Sequence, residues 1–157
     1  MFCYVDTSVL VALCVNEPRS EDVSRWYSKS KDKLVSSAWC VTEFASALGI
    51  KQRTGQITLE EAQVAWQSFQ RLCANDLTLL SPDADLFHQA AFLTLDAATG
   101  LCAGDALHLT SALHANVKRM ATLDEVFARN AKLRKIAVVV FYPCSRLFHG
   151  GENTIRA

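Results

Sequence analysis

At 157 residues the chain fits one domain, long enough to bury its own core without disulfides or a structural metal. Half of its residues are hydrophobic and a fifth are charged, and Lys+Arg and Asp+Glu number 16 each, so any nucleic-acid partner must be held by local patches rather than by a net positive field. Six cysteines, at positions 3, 14, 40, 73, 102 and 144, lie among apolar neighbours without a C-x-x-C pair. That pattern argues against a zinc ribbon or a secreted disulfide framework and predicts reduced core thiols in a cytoplasmic protein. No apolar run approaches the roughly 18 residues of a membrane span. The apolar start is interrupted by Asp6 with no basic segment before it, unlike a signal peptide.

The first element is a short apolar strand, Phe2 to Val5, closed by Asp6 and the hydroxyl pair Thr7-Ser8. Those hydroxyls suit both capping the next helix and orienting the acid. Helices are predicted over Ser8 to Val15 and Arg19 to Lys29, the first stopped by Asn16-Glu17-Pro18. After the basic turn Lys29 to Lys33 comes a strand, Leu34 to Ser36. Ser36 or Ser37 then caps a long helix to about Thr54, stopped by Gly55. Thr58-Leu59-Glu60-Glu61 is a capping-box pattern opening a helix to about Asn75. Leu77 to Leu80 reads as a strand, and Ser81-Pro82 as the start of a helix reaching Thr99, with proline at its first position. A helix over Asp105 to Asn116, a strand Arg119 to Thr122, a helix Asp124 to Lys132 and a β-branched strand Ile136 to Phe141 complete the pattern. Strands alternating with helices predict an α/β domain over 1–142, its five-stranded parallel sheet covered on both faces. Residues 143–157 read as a loosely ordered C-terminal tail.

Four carboxylates stand out. Asp6 closes the first strand, Asp105 begins a helix, and Asp124 lies at a strand-to-helix junction. Glu43 lies inside the long helix on the stripe Trp39, Cys40, Ser46, Ala47, where an inward carboxylate is costly unless a donor or cation meets it. Each has a plainer reading. Asp6 and Asp105 suit helix amino ends through the dipole, Thr122 to Glu125 is itself a capping-box pattern, and Glu43 faces solvent if the helix phase differs. Together, converging beyond the strand ends where α/β folds bind ligands, they could not all ionise without compensating positive charge. A hard divalent cation supplies it. Two such ions about 3.5–4 Å apart serve in-line phosphoryl displacement.

Four segments carry a family resemblance: Tyr4-Val-Asp-Thr-Ser8-Val-Leu-Val-Ala-Leu13, Ser37-Ala-Trp-Cys-Val-Thr-Glu43-Phe-Ala-Ser-Ala-Leu48, Ala103-Gly-Asp105-Ala-Leu-His-Leu109 and Ala121-Thr-Leu-Asp124-Glu-Val-Phe127. In this order the chain resembles the PIN-domain ribonucleases, specifically the VapC-type toxins of bacterial toxin–antitoxin pairs. The resemblance implies a PIN-like single domain with sheet order 3-2-1-4-5. It further implies an acidic pocket of Asp6, Glu43, Asp105 and Asp124 that holds Mg²⁺, with Mn²⁺ able to substitute, and hydrolyses RNA phosphodiester bonds. The partners it implies are an RNA substrate, a small antitoxin protein and a second copy in a homodimer. Ser8 and Thr122 match polar positions that support the acids in relatives.

The remaining signals are less specific. His108 shares a helical face with Asp105 and reads as a hydrogen-bonded structural histidine in preference to a metal ligand. Lys51 and Arg53, with Lys29, Lys31 and Lys33, are candidate phosphate contacts. Trp39, Phe44, Trp66 and Phe69 exceed what one small sheet face needs, predicting an apolar partner surface on the helices between Ser37 and Asn75. Alternatives are a non-toxin PIN-domain RNA-processing nuclease and a non-catalytic RNA- or protein-binding relative, which should have lost an acid. A receiver-like domain would want an acidic pair after the first strand, where Asp6-Thr7-Ser8 stands. A haloacid-dehalogenase-like phosphatase would want Asp in place of Ser8.

Overall fold

The computed structural model describes residues 1–141; the expected tail from 143 lies outside them. Five strands, β1 (Phe2–Val5), β2 (Lys33–Ser37), β3 (Leu77–Leu80), β4 (Arg119–Ala121) and β5 (Ala137–Val138), form one parallel sheet in the order β3-β2-β1-β4-β5. The seven helices among the described residues are α1 (Thr7–Cys14), α2 (Ser20–Lys29), α3 (Trp39–Arg53), α4 (Leu59–Asn75), α5 (Ala84–Leu95), α6 (Ala103–His114) and α7 (Glu125–Leu133). None is long and apolar enough to cross a membrane.

Side-chain alternation along the central strand divides the core. Cys3 and Val5 join one apolar cluster with Val9, Leu10, Phe44 and Phe69, while Tyr4 points the other way into a cluster with Leu109, Met120 and Phe127. Period-two alternation in a strand covered on both faces requires this split. The strand-two pair Leu34 and Val35 divides the same way, so α1, α3 and α4 lie on one face of the sheet and α6 and α7 on the other.

Most of the aromatic surplus goes into the core. Phe44 and Phe69 are fully buried and stack with ring centroids 4.1 Å apart and planes 10° from parallel, with Trp66 tilted against both. These three rings join α3 to α4, whereas Trp39, the fourth residue of the expected surface, is 38% exposed. The exposed apolar side chains on α4 are Leu59 and Val64 instead.

Three boundaries differ from the sequence reading. α5 begins after Asp83, whose carboxylate accepts from the Leu86 amide at 3.0 Å; a charged oxygen on the orphan amides outcompetes the upstream proline as a start signal. That helix ends at Leu95, not Thr99. The last ladder spans only Ala137–Val138. The capping box at Thr58 is present in full: its hydroxyl accepts from Glu61 N at 3.1 Å, and Glu61 accepts from Thr58 N at 2.7 Å.

Candidate functional site

All strands are parallel, so their carboxyl ends share one edge, and β1 and β4 deliver Asp6 and Asp124 there side by side. Asp6 is buried, 5% exposed, and follows the central strand as the residue before α1. Its Oδ2 accepts from the Ser8 hydroxyl at 2.5 Å and from the Thr122 hydroxyl at 2.8 Å. The two hydroxyls tie strands together: Ser8 Oγ accepts from Leu123 N at 3.0 Å, and Thr122 Oγ1 from Asp124 N at 3.0 Å. Thr7 and Ser8 thus orient acids and do not cap α1, which has no side-chain cap.

Asp124 caps α7 itself, its Oδ1 accepting from Phe127 N at 2.6 Å. The cap read at Thr122 is therefore two residues further on, at Asp124, and it is a single N-cap bond without a capping box, since Phe127 stands at the third helical position. Asp105 lies in the first turn of α6, where the Cys102 sulfur accepts from its amide and the thiol donates to Oδ2 at 3.1 Å. Burial pushes the Asp105 carboxyl above its ordinary pKa; the Cys102 hydrogen bond opposes this, and the negative charges of Asp6 and Asp124 add to it. Asp6 and Asp124 thus act on Asp105 electrostatically, with burial the larger cause. Among the described residues no Lys or Arg forms an ion pair with any of the three.

Glu43 reaches the same edge from α3 but is bound differently. Its Oε2 accepts from the Thr7 hydroxyl and from His108 Nε2, both at 2.6 Å, and its Oε1 from the Trp39 indole at 2.9 Å. Burial would raise its pKa, yet the hydrogen bonds from His108, Thr7 and Trp39 prevail and hold it below the ordinary carboxylate value. Of roughly four lone-pair sites on a carboxylate, three are already used. Gly104 on α6 lies so close that a Cβ there would overlap Glu43 Oε1. Glu43 therefore faces inward, as the helix stripe predicts.

His108 is fully buried with both ring nitrogens bonded, Nε2 to Glu43 and Nδ1 to the Tyr4 hydroxyl at 2.7 Å, the structural role expected for it. Lys51 pairs with Glu17, and the turn Lys29 to Lys33 precedes β2, at the sheet edge opposite the acids. Sequence reasoning missed Tyr4, Thr7, Trp39, Cys102 and Gly104. Only Trp39, four residues before Glu43 on one helix, was recoverable from spacing.

The donor chemistry suits a hard divalent cation. Asp6 and Asp105 engage only Oδ2 in hydrogen bonds and Asp124 only Oδ1, so each keeps an oxygen free of protein donors among the described residues. No three His, Cys, Asp or Glu side chains there close into a ready-made cage. Mg²⁺ does not require one, since it keeps several waters and binds through one or two carboxylates plus substrate phosphate.

In fold, the chain is similar to VapC20 of Mycobacterium tuberculosis, described as a sarcin–ricin-loop-cleaving toxin: TM-score 0.67, 16% identity, 82% of this chain and 94% of that one. It is also similar to FitAcB of Neisseria gonorrhoeae (TM-score 0.61, 20% identity, 88% and 96%). A third likeness is to VapBC2 of Rickettsia felis, solved with a DNA fragment from its promoter (TM-score 0.58, 13% identity, 88% and 98%). No curated protein matches the chain by sequence. The family model described as the PIN domain matches residues 3–133, nearly the whole sheet and every element that carries an acid, and on that match the chain belongs to the PIN-domain family.

Proposed function

We propose that this chain is a metal-dependent endoribonuclease acting as the toxin of a toxin–antitoxin pair, with Asp6, Asp105, Asp124 and Glu43 as its site. The observation that carries the reading is Asp6 at the end of the central strand, held through Oδ2 by Ser8 and Thr122 with its other oxygen free, at the sheet edge where Asp105 and Asp124 also begin helices. Membership of the PIN-domain family and likeness in fold to a toxin that cleaves the sarcin–ricin loop support it. Asp6, Asp105 and Asp124 would hold Mg²⁺ or Mn²⁺ through their free oxygens, and Glu43 would contribute its one remaining lone-pair direction. Such a cation, when bound, lowers the pKa of water and offsets charge building on the phosphodiester.

The chain's own residues do the rest. Ser8 and Thr122 fix the Asp6 carboxylate so that its other oxygen faces the site, which avoids reorganisation when charge develops there. The Cys102 thiol restrains Asp105 in the same way. Among the described residues, His108 at the acids has both nitrogens engaged and is not free to act as a base. An antitoxin partner and a homodimer belong to the same proposal.

Purified full-length chain, freed of any co-purifying protein, is expected to cleave structured RNA with Mg²⁺ or Mn²⁺ and to stop in EDTA. Activity should return when the cation is restored in excess. Cleavage that continues undiminished in chelator contradicts the proposal.

A further inference from the structure

We propose that His108 is a positioning residue, held on one side by Tyr4 and donating from Nε2 on the other, and that it fixes the orientation of the Glu43 carboxylate. The proposal rests on the nuclease reading above for its consequence, but its geometry stands independently. Tyr4, Ser37 and His108 are all buried to the point of zero exposure, so each polar atom must find its partner inside the protein. The Ser37 amide donates to the Tyr4 oxygen at 2.9 Å.

The same phenol oxygen is bonded to His108 Nδ1 at 2.7 Å, and on the far side of the ring Nε2 donates to Glu43 Oε2 at 2.6 Å. A ring without a proton on Nε2 would set a nitrogen lone pair against a carboxylate oxygen at that same short distance, two acceptors with no proton between them. Thr7 adds a second donor to Oε2. The relay begins in the backbone of β2, passes through the central strand and α6, and ends on α3, so four elements that the sheet order brings together converge on one carboxylate.

Orienting a functional carboxylate through an imidazole, with the second nitrogen fixed by another group, is the arrangement that gives outer groups a 10- to 100-fold influence on metal sites. Glu43 is thereby kept charged and turned so that Oε1 lies between Trp39 and Gly104.

The test uses the full chain and two independent readouts. Imidazole ¹⁵N spectra at neutral pH should show His108 with a proton on Nε2, and Tyr4→Phe, which removes one oxygen, should shift the Nδ1 resonance. In RNA cleavage at saturating Mg²⁺, His108→Leu should lower kcat by about 10- to 100-fold with KM little changed, and His108→Gln, which retains a donor, should restore most of it. Circular dichroism checks each variant for folding. If His108→Leu does not fold, Tyr4→Phe provides the kinetic comparison and should show the same split. A ring with no proton on Nε2 overturns the proposal, as does a folded His108→Leu protein that cuts as fast as its parent. A parent that cleaves no RNA defeats the nuclease reading alone, and the spectrum then supports or overturns the relay on its own.

Discussion

Asp6→Asn is expected to lower RNA cleavage by about 10³-fold or more, because a cation's stabilisation of the reacting phosphate amounts to several kcal/mol at about 1.4 kcal/mol per tenfold. The substitution keeps shape, and its amide oxygen can still accept from Ser8 and Thr122, as Oδ2 does now. That choice turns the NH₂ group to the free side, where the carboxylate offers an oxygen, and replaces an acceptor for a cation by a donor. Folding should be preserved, since both hydroxyls keep their partner and a buried negative charge is removed. Asp124→Asn makes the contrast. Asp124 is exposed, its Oδ1 is engaged in capping α7, and asparagine is an equally good cap, so that variant should retain measurable activity at high Mn²⁺. Cleavage rates for both variants, with circular dichroism to confirm folding, check the pair of outcomes. An Asp6→Asn protein that cuts like its parent defeats the assignment; an Asp124→Asn protein equally dead defeats only the ranking.

Gly104→Ala should damage both stability and activity, although alanine is the better helix residue by about 1 kcal/mol. The added methyl would overlap Glu43 Oε1 and sit 3.4 Å from the Trp39 indole nitrogen. Glu43 cannot swing away without breaking bonds to His108, Thr7 and Trp39. The amino end of α6 must move instead, and it carries Cys102 and Asp105. Overpacking of this kind costs about 1–3 kcal/mol, and a displacement near 1 Å at reacting groups costs about 10²-fold in rate. The urea midpoint at unchanged slope measures the first effect and RNA cleavage the second. In a Glu43→Ala background the same change should be stabilising, because the obstruction is gone and the helix preference remains. A Gly104→Ala protein as stable and active as its parent would show that Glu43 moves freely.

Much of this was legible in the chain. The strand ends announce Asp6 and Asp124 through hydroxyl neighbours, and alternation of strands with helices predicts the parallel sheet and, with the family resemblance, its order. Glu43 was legible as a problem, a carboxylate on an apolar stripe that needs donors. Its donors were not, because Thr7 and His108 come from other elements and meet it only through the fold. Tyr4 was hidden for the opposite reason: in an apolar strand it reads as packing, and its hydroxyl has meaning only against His108. Spacing misplaced the cap at Thr122, since a hydroxyl pattern fits a helix start and a tertiary bond to Asp6 equally well. Pattern counts the apolar residues of α3 and α4 without saying how far two helices interdigitate, so it could not separate Phe44 and Phe69, which stack in the core, from Trp39, which stays exposed.

The account stands on a divalent cation among Asp6, Asp105 and Asp124. Crystals of the full chain soaked in Mn²⁺ and measured by anomalous scattering test this directly. An anomalous peak is predicted about 2.0–2.6 Å from a free carboxylate oxygen of Asp6, with Asp105 or Asp124 in the same coordination shell, and absent from Asp6→Asn crystals in the same soak. A peak that stays in Asp6→Asn, or manganese bound only away from these three carboxylates, would contradict it.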